Sequence, residues 1–227
     1  MKIGIIVAMD KEFVQLKSLL DDRQTERRNH KDFVIGRMGD KEIVMQQCGI
    51  GKVNSAVGAV EMINNYHPDI IISTGVAGGA DISLNVTDVV VGTQYVYHDA
   101  YCGEECAYGR IIGMPARYNA PKELADKALA LNDKTHIRGG LIVSGEWFVD
   151  SREKMQSILD KFPEAMAVDM ESCSIAQVCH IYKVPFVSFR IISDVPLSDH
   201  KAAQYFDFWA RMAEGSFNVT KRFIATI

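Results

Sequence analysis

Asp69-Ile70-Ile71-Ile72-Ser73-Thr74 is a short apolar run of strand length, followed by the glycine-rich loop Gly75-Val76-Ala77-Gly78-Gly79. A segment of this length with no polar face suits a strand covered by helices on both sides, and the glycines let backbone approach something flat. Other runs rich in Ile and Val have the same character: 2–8, 42–47, 89–92, 137–143 and 185–192, with a shorter one at 165–168. Helical patterns lie between them at 11–20, 53–65, 121–131, 151–161 and 171–181, and a closing one runs from 202 to about 225. In the closing segment Phe206, Trp209, Met212, Ala213 and Phe217 fall at helical spacing and make an apolar stripe. Strands alternating with helices predict an α/β fold, a three-layer sandwich around a central mixed sheet. The charged stretch 21–32 reads as a solvated turn, ahead of a hairpin of 33–37 and 42–47 turned at Gly39-Asp40.

The 227 residues are 48% hydrophobic and 24% charged, with no Ser/Gly/Pro-rich break, so 1–227 is expected to form one domain. A net charge of -4 with scattered Lys and Arg argues against a nucleic-acid partner. The opening apolar run is too short for a signal-peptide core, and no apolar stretch is long enough for a bilayer, so no membrane is expected and the cytosol is the predicted place. Five cysteines (Cys48, Cys102, Cys106, Cys173 and Cys179) show no paired spacing for a disulfide framework. Cys102 and Cys106 lack a second pair of zinc ligands, so no metal or cofactor is predicted.

Ligands of open α/β sheets bind beyond the carboxyl ends of strands, where loops and helix N-termini converge. The unusual residues of this chain sit there. They are Met9, Asp10 and Glu12; Gly75 to Gly79; Ser144-Gly145-Glu146-Trp147-Phe148; Asp169-Met170-Glu171; and Ser193-Asp194. Carboxylates beside apolar strand ends are costly unless paired or used. Glu12, Asp169 and Glu171 have an ordinary alternative as helix caps, and Asp194 as a turn residue. Trp147 and Phe148, in a loop, suit a flat π-ligand such as a purine, with plain core packing as the alternative. Gly49-Ile50-Gly51-Lys52-Val53-Asn54 begins like a dinucleotide fingerprint but lacks its third glycine, and tight turns explain it equally well.

Across nearly its whole length the chain resembles the bacterial methylthioadenosine/S-adenosylhomocysteine nucleosidases. The ordered motifs are the opening Met1 to Ile6 with Ala8-Met9 and Glu12, then Gly49 to Val53, Thr74-Gly75 with Ala77-Gly78-Gly79, Tyr97-His98-Asp99-Ala100, Val143-Ser144-Gly145, Val168 to Glu171, and Arg190 to Asp194. The resemblance implies a nucleoside phosphorylase-like fold, a homodimer, and hydrolysis of the adenine–ribose bond of thioether nucleosides without cofactor. By position, Asp194 is the acid for adenine N7, Glu12 activates the water, and Glu171 holds the ribose hydroxyls. Met9 and Met170 line the ribose, Phe148 stacks on adenine, and the Val149 backbone reads the base edge. Ser193 and Arg190 hold Asp194, Ile50 and Val76 join the binding set, and Phe206 is the lid aromatic.

These roles are chemically consistent. Protonated adenine departs neutral from an oxocarbenium-like sugar, and nearby carboxylates steady the positive charge. The carboxylates of Met9-Asp10-Lys11-Glu12 would repel phosphate, which favours water as nucleophile. Departures from the family pattern are Val76 for serine, Asp169 for glutamate, a shorter loop before Phe206, and two glutamates in 101–107, where the second protomer would otherwise place apolar residues over the 5'-thio group. His98-Asp99 reads as structural or interfacial, since no nucleophile is evident beside it, and Cys179-His180 as a helix end. A phosphorylase or hydrolase of another purine nucleoside, and an inactive nucleoside-binding protein, stay open as alternatives. Glu12 and Asp194 together speak against the last.

Overall fold

The computed structural model describes residues 1–29, 31–132, 135–197, 208 and 217–227. Within them the chain runs β1 (Lys2–Val7), α1 (Asp10–Lys17), β2 (Asp21–Arg28), β3 (Lys31–Met38), β4 (Lys41–Gln47), α2 (Lys52–Tyr66), β5 (Ile70–Gly79) and β6 (Val89–Tyr97). It continues through β7 (Tyr118–Asn119), α3 (Lys122–Leu129), β8 (Ile137–Ser144), α4 (Arg152–Leu159), β9 (Ala165–Asp169), α5 (Ser172–Tyr182), β10 (Phe186–Asp194) and α6 (Asn218–Ile224). The strands form one mixed sheet in the order β10-β6-β8-β9-β5-β1-β4-β3-β2, with β7 on β6.

Helices cover both faces, as strands apolar on both sides require. Ile3, Ile5 and Val7 of β1 pack with Phe13 and Leu16 of α1 and with Val219 and Phe223 of α6. Ile6 points the other way, into a cluster with Met62 of α2 and Cys173 and Ala176 of α5. This alternation is the period of two that a strand imposes.

β10 pairs with β5 as well as β6, so β5, β10, β6, β8 and β9 close a circuit. One edge of β5 makes this possible by changing partner along its length: Ile70 to Ser73 are bound by β1, and Gly78 and Gly79 by β9. The strand therefore runs on through the glycines, past the Thr74 end expected from the apolar run, because β10 pairs alongside as far as Gly78. Small residues are needed at this corner: a Cβ on Gly78 would lie 3.1 Å from Val168 Cγ1.

The stretch 21–32 corrects the expectation of a solvated turn. Residues 21–28 are β2, an exposed strand at the sheet margin antiparallel to β3. Its row of charges is a common device for keeping an open edge from pairing with another chain. The β3–β4 hairpin follows expectation, with Gly39 at φ +61° in the turn. Of the closing stripe, Phe217 is buried, while Phe206, Trp209, Met212 and Ala213 lie outside the described residues. All five cysteines are free thiols, and no helix among the described residues is long and apolar enough to cross a membrane.

Candidate active site

Glu12 occupies the first turn of α1, where its carboxylate reaches back over the helix start. Oε2 accepts the N–H groups of Ala8 (3.0 Å) and Met9 (2.9 Å), and Oε1 accepts that of Val76 on β5 (3.0 Å). It is therefore a helix cap, as the plain alternative held, yet it also borders a cavity. Burial pushes its pKa above the ordinary carboxylate value, against the pull of the amides and of Arg190.

Arg190 projects from the middle of β10 into the interior and is only 2% exposed. Nε donates to Asp169 Oδ2 at 2.6 Å, and Nη2 donates to Ser73 Oγ at 3.0 Å. Asp169 also accepts from the hydroxyls of Ser144 and Ser172 and from the Ser172 amide. Its oxygens are thus occupied within the protein, and its place at the cavity wall is structural. Gly75 permits this packing: a Cβ there would lie 2.6 Å from Arg190 Nη1 and 2.7 Å from Glu12 Oε1.

Glu171 sits at the N-cap of α5, with Oε1 accepting the Gly51 N–H at 3.0 Å. Burial first, then the charge of Asp169, pushes its pKa up to about 7. Gly49 and Gly51 have φ of +94° and +96°, so the glycines of this motif serve a turn that only they adopt without strain. That turn aims the Gly51 amide at Glu171. At the end of β10, Ser193 Oγ donates to Asp194 Oδ1 at 2.7 Å. The guanidinium of Arg190, committed to Asp169, Ser172 and Ser73, makes no such bond, so only the Ser193 half of the expected pair touches Asp194.

These residues surround one open cleft. Glu12, Glu171 and Asp194 bring carboxylates to it, and Met9 and Met170 bring thioethers. Ile50, Val76, Val149 and Ser193 complete the expected set, while Arg190 lies behind the wall and Phe206 is outside the described residues. Phe148 and Trp147 are 56% and 45% exposed on the cleft, which removes the core-packing alternative for both rings. Residues 101–107 do not line this cleft.

Sequence reasoning missed the serines that hold Asp169 and Arg190. Their only sign is a hydroxyl inside an apolar run, as at Ser73, or at its end, as at Ser144. His98 and Asp99 do not line the cleft; Asp99 binds Lys52, and the His98 ring is buried beside Trp147, with centroids 5.3 Å apart.

Comparison with known proteins agrees with this geometry. The profile of the phosphorylase superfamily matches residues 2–225. The 5'-methylthioadenosine/S-adenosylhomocysteine nucleosidase of Staphylococcus saprophyticus is 40% identical over 99% of this chain and 100% of its own, and that of Staphylococcus epidermidis is 40% identical over 85% and 86%. Among solved structures, the Neisseria meningitidis nucleosidase of the same name, in complex with methylthio-immucillin-A, superposes with a TM-score of 0.93 at 31% identity, covering 100% of this chain and 99% of that one. The Streptococcus pyogenes S-adenosylhomocysteine nucleosidase gives 0.92 at 31% identity, covering 100% and 97%. With the carboxylate-lined cleft, the mixed sheet and these full-length likenesses in agreement, the chain belongs to the 5'-methylthioadenosine/S-adenosylhomocysteine nucleosidases of the phosphorylase superfamily.

Proposed function

We infer that this chain hydrolyses the N-glycosidic bond of 5'-methylthioadenosine and S-adenosylhomocysteine, releasing adenine and a 5'-thio-substituted ribose. The observation that carries the reading is that Glu12 and Asp194 border one cleft together with the half-exposed Phe148. Phe148 stacks on the adenine, and the Val149 backbone reads its edge. Asp194, oriented by Ser193, delivers a proton to N7 so that the base leaves neutral. Glu12, pinned by three amides at the cleft wall, orients and deprotonates the attacking water. Glu171 takes the ribose hydroxyls, with Met9 and Met170 against the sugar. Ile50 and Val76 supply apolar wall.

Water is favoured over phosphate as the nucleophile by the charges present. Among the described residues lining the cleft there is no Lys or Arg, and the nearby guanidinium of Arg190 is already bound to Asp169. A phosphate would meet Glu12 and Glu171 and, among the described residues of the cleft wall, no free cation to hold it. The chain acts as a homodimer in this reading, supported by Ile50, Val53 and Val57, which leave an apolar strip at the start of α2 in solvent (52%, 74% and 45% exposed).

The test is release of free adenine from each nucleoside in phosphate-free buffer with a chelator. Adenine from either substrate supports hydrolysis, and release only after phosphate is added moves the assignment to phosphorolysis. Ligand that binds and survives points to a nucleoside-binding protein.

A further inference from the structure

Two motifs are left unused by the chemistry above: Lys52 at the first position of α2, and His98-Asp99 just after β6. Both meet the loop that carries Trp147 and Phe148. Lys52 Nζ donates to both oxygens of Asp99, at 2.9 and 2.8 Å. Asp99 Oδ2 also accepts the backbone N–H of Glu146 at 2.9 Å, and Glu146 Oε1 accepts the backbone N–H of Lys52 at 2.7 Å. Lys52, Asp99 and Glu146 therefore close a ring of hydrogen bonds that ties three separate elements together.

The ring has a fitted seat. A Cβ on Gly145 would lie 2.4 Å from the His98 ring and 2.8 Å from Asp99 Cγ, and one on Gly51 would lie 2.6 Å from Glu146 Oε2. The Asp99 side chain is only 9% exposed. Burial would raise its pKa, but the Lys52 ammonium and the Glu146 amide hold it below the ordinary value, so it is a fixed anion. Trp147 and Phe148 are half exposed on the cleft, and Trp147 packs on the buried ring of His98, the neighbour of Asp99. The polar anchor one residue earlier fixes the backbone from which the two rings reach the cleft.

We propose that Lys52, Asp99 and Glu146 are positioning residues that preset the aromatic loop for the base. The same helix start also serves the sugar side, because the Gly51 amide holds Glu171 and the adjacent Lys52 amide holds Glu146. Base loop and ribose carboxylate thus share one anchor, and loosening it weakens substrate capture before it weakens the chemistry. This inference rests on Phe148 being the base platform of the proposed nucleosidase.

The experiment uses the full chain with Trp209→Phe, which leaves Trp147 as the one fluorophore of its kind. Adenine is titrated against Trp147 emission, and KM and kcat are measured with methylthioadenosine. Lys52→Met should weaken adenine and raise KM about tenfold or more, as expected for loss of a charge-assisted bond, with a smaller fall in kcat. Lys52→Arg, which keeps the contact with Asp99, should recover most of the affinity. Glu146→Ala, on an exposed loop that the core does not need, should shift KM in the same direction and covers the case in which Lys52→Met fails to fold. Folded variants with unchanged adenine affinity, or with a loss confined to kcat, overturn the proposal and leave the nucleosidase reading standing. A parent chain that neither binds nor releases adenine overturns both.

Discussion

Arg190 Nε lies 2.6 Å from Asp169 Oδ2, and both side chains are almost fully enclosed, at 2% and 1% exposure. An enclosed ion pair contributes little compared with apolar packing, but removing one partner leaves a bare charge inside the protein. Asp169→Ala should therefore lower stability by about 3–5 kcal/mol, read as a fall in the urea midpoint. A loss under about 1 kcal/mol would mean that water or another carboxylate takes over the guanidinium.

Asp194→Asn keeps the shape of the side chain and loses the proton it would deliver. Adenine release should fall by about 10²–10⁴-fold, with the thermal midpoint close to that of the parent. Turnover at the parent rate would remove Asp194 as the acid.

Phe148→Ala tests the platform without disturbing the core, since the ring is 56% exposed. Loss of base stacking, about 1–3 kcal/mol, should raise KM by roughly 5- to 150-fold, while the unfolding curve stays in place. An unchanged KM would put the base elsewhere in the cleft.

Gly75→Ala should harm both stability and turnover. The added methyl would press on Arg190 Nη1 and Glu12 Oε1, so a loss of about 1–3 kcal/mol is expected. Wild-type behaviour would show that the two side chains can separate freely.

Glu171 gives a pH signature. Its pKa rises from 4.5 unfolded to about 7 folded, so between those values the folded chain holds more proton than the unfolded one. Its contribution to stability is present below 4.5 and is lost as pH rises through 7. Glu171→Gln should flatten that decline in chemical denaturation measured from pH 5 to 8. In the parent, kcat/KM should climb through the same range as the carboxylate that takes the ribose hydroxyls ionises. A stability profile identical in parent and variant would contradict the assignment.

Much of this was legible in the sequence because the signals were local. Apolar runs of strand length marked β1, β4, β5, β8 and β10, and the acids at their ends marked the cleft. What failed to show was decided by partners distant in the chain. Residues 21–28 carry no apolar alternation, and only pairing with β3 makes them a strand. Glycines 75, 78 and 79 read as a loop because their intrinsic strand preference is poor, yet β10 and β9 hold them in the sheet. The family resemblance pairs Arg190 with Asp194, whereas the fold gives it to Asp169 and Ser73. Motif order carried the positions of Glu12, Phe148 and Asp194, but no motif announces which buried hydroxyl completes a network.

The closed circuit of β5, β10, β6, β8 and β9 also divides the molecule by tolerance to change. Gly75, Asp169 and Asp194 all stand on it, and a shift in any one of its strands must be passed around to the rest. β2 hangs outside, two strands removed from β1, and touches none of the cleft. The margin of the sheet is where insertions, tags and sequence drift can accumulate without a catalytic penalty, whereas the ring admits change only in concert.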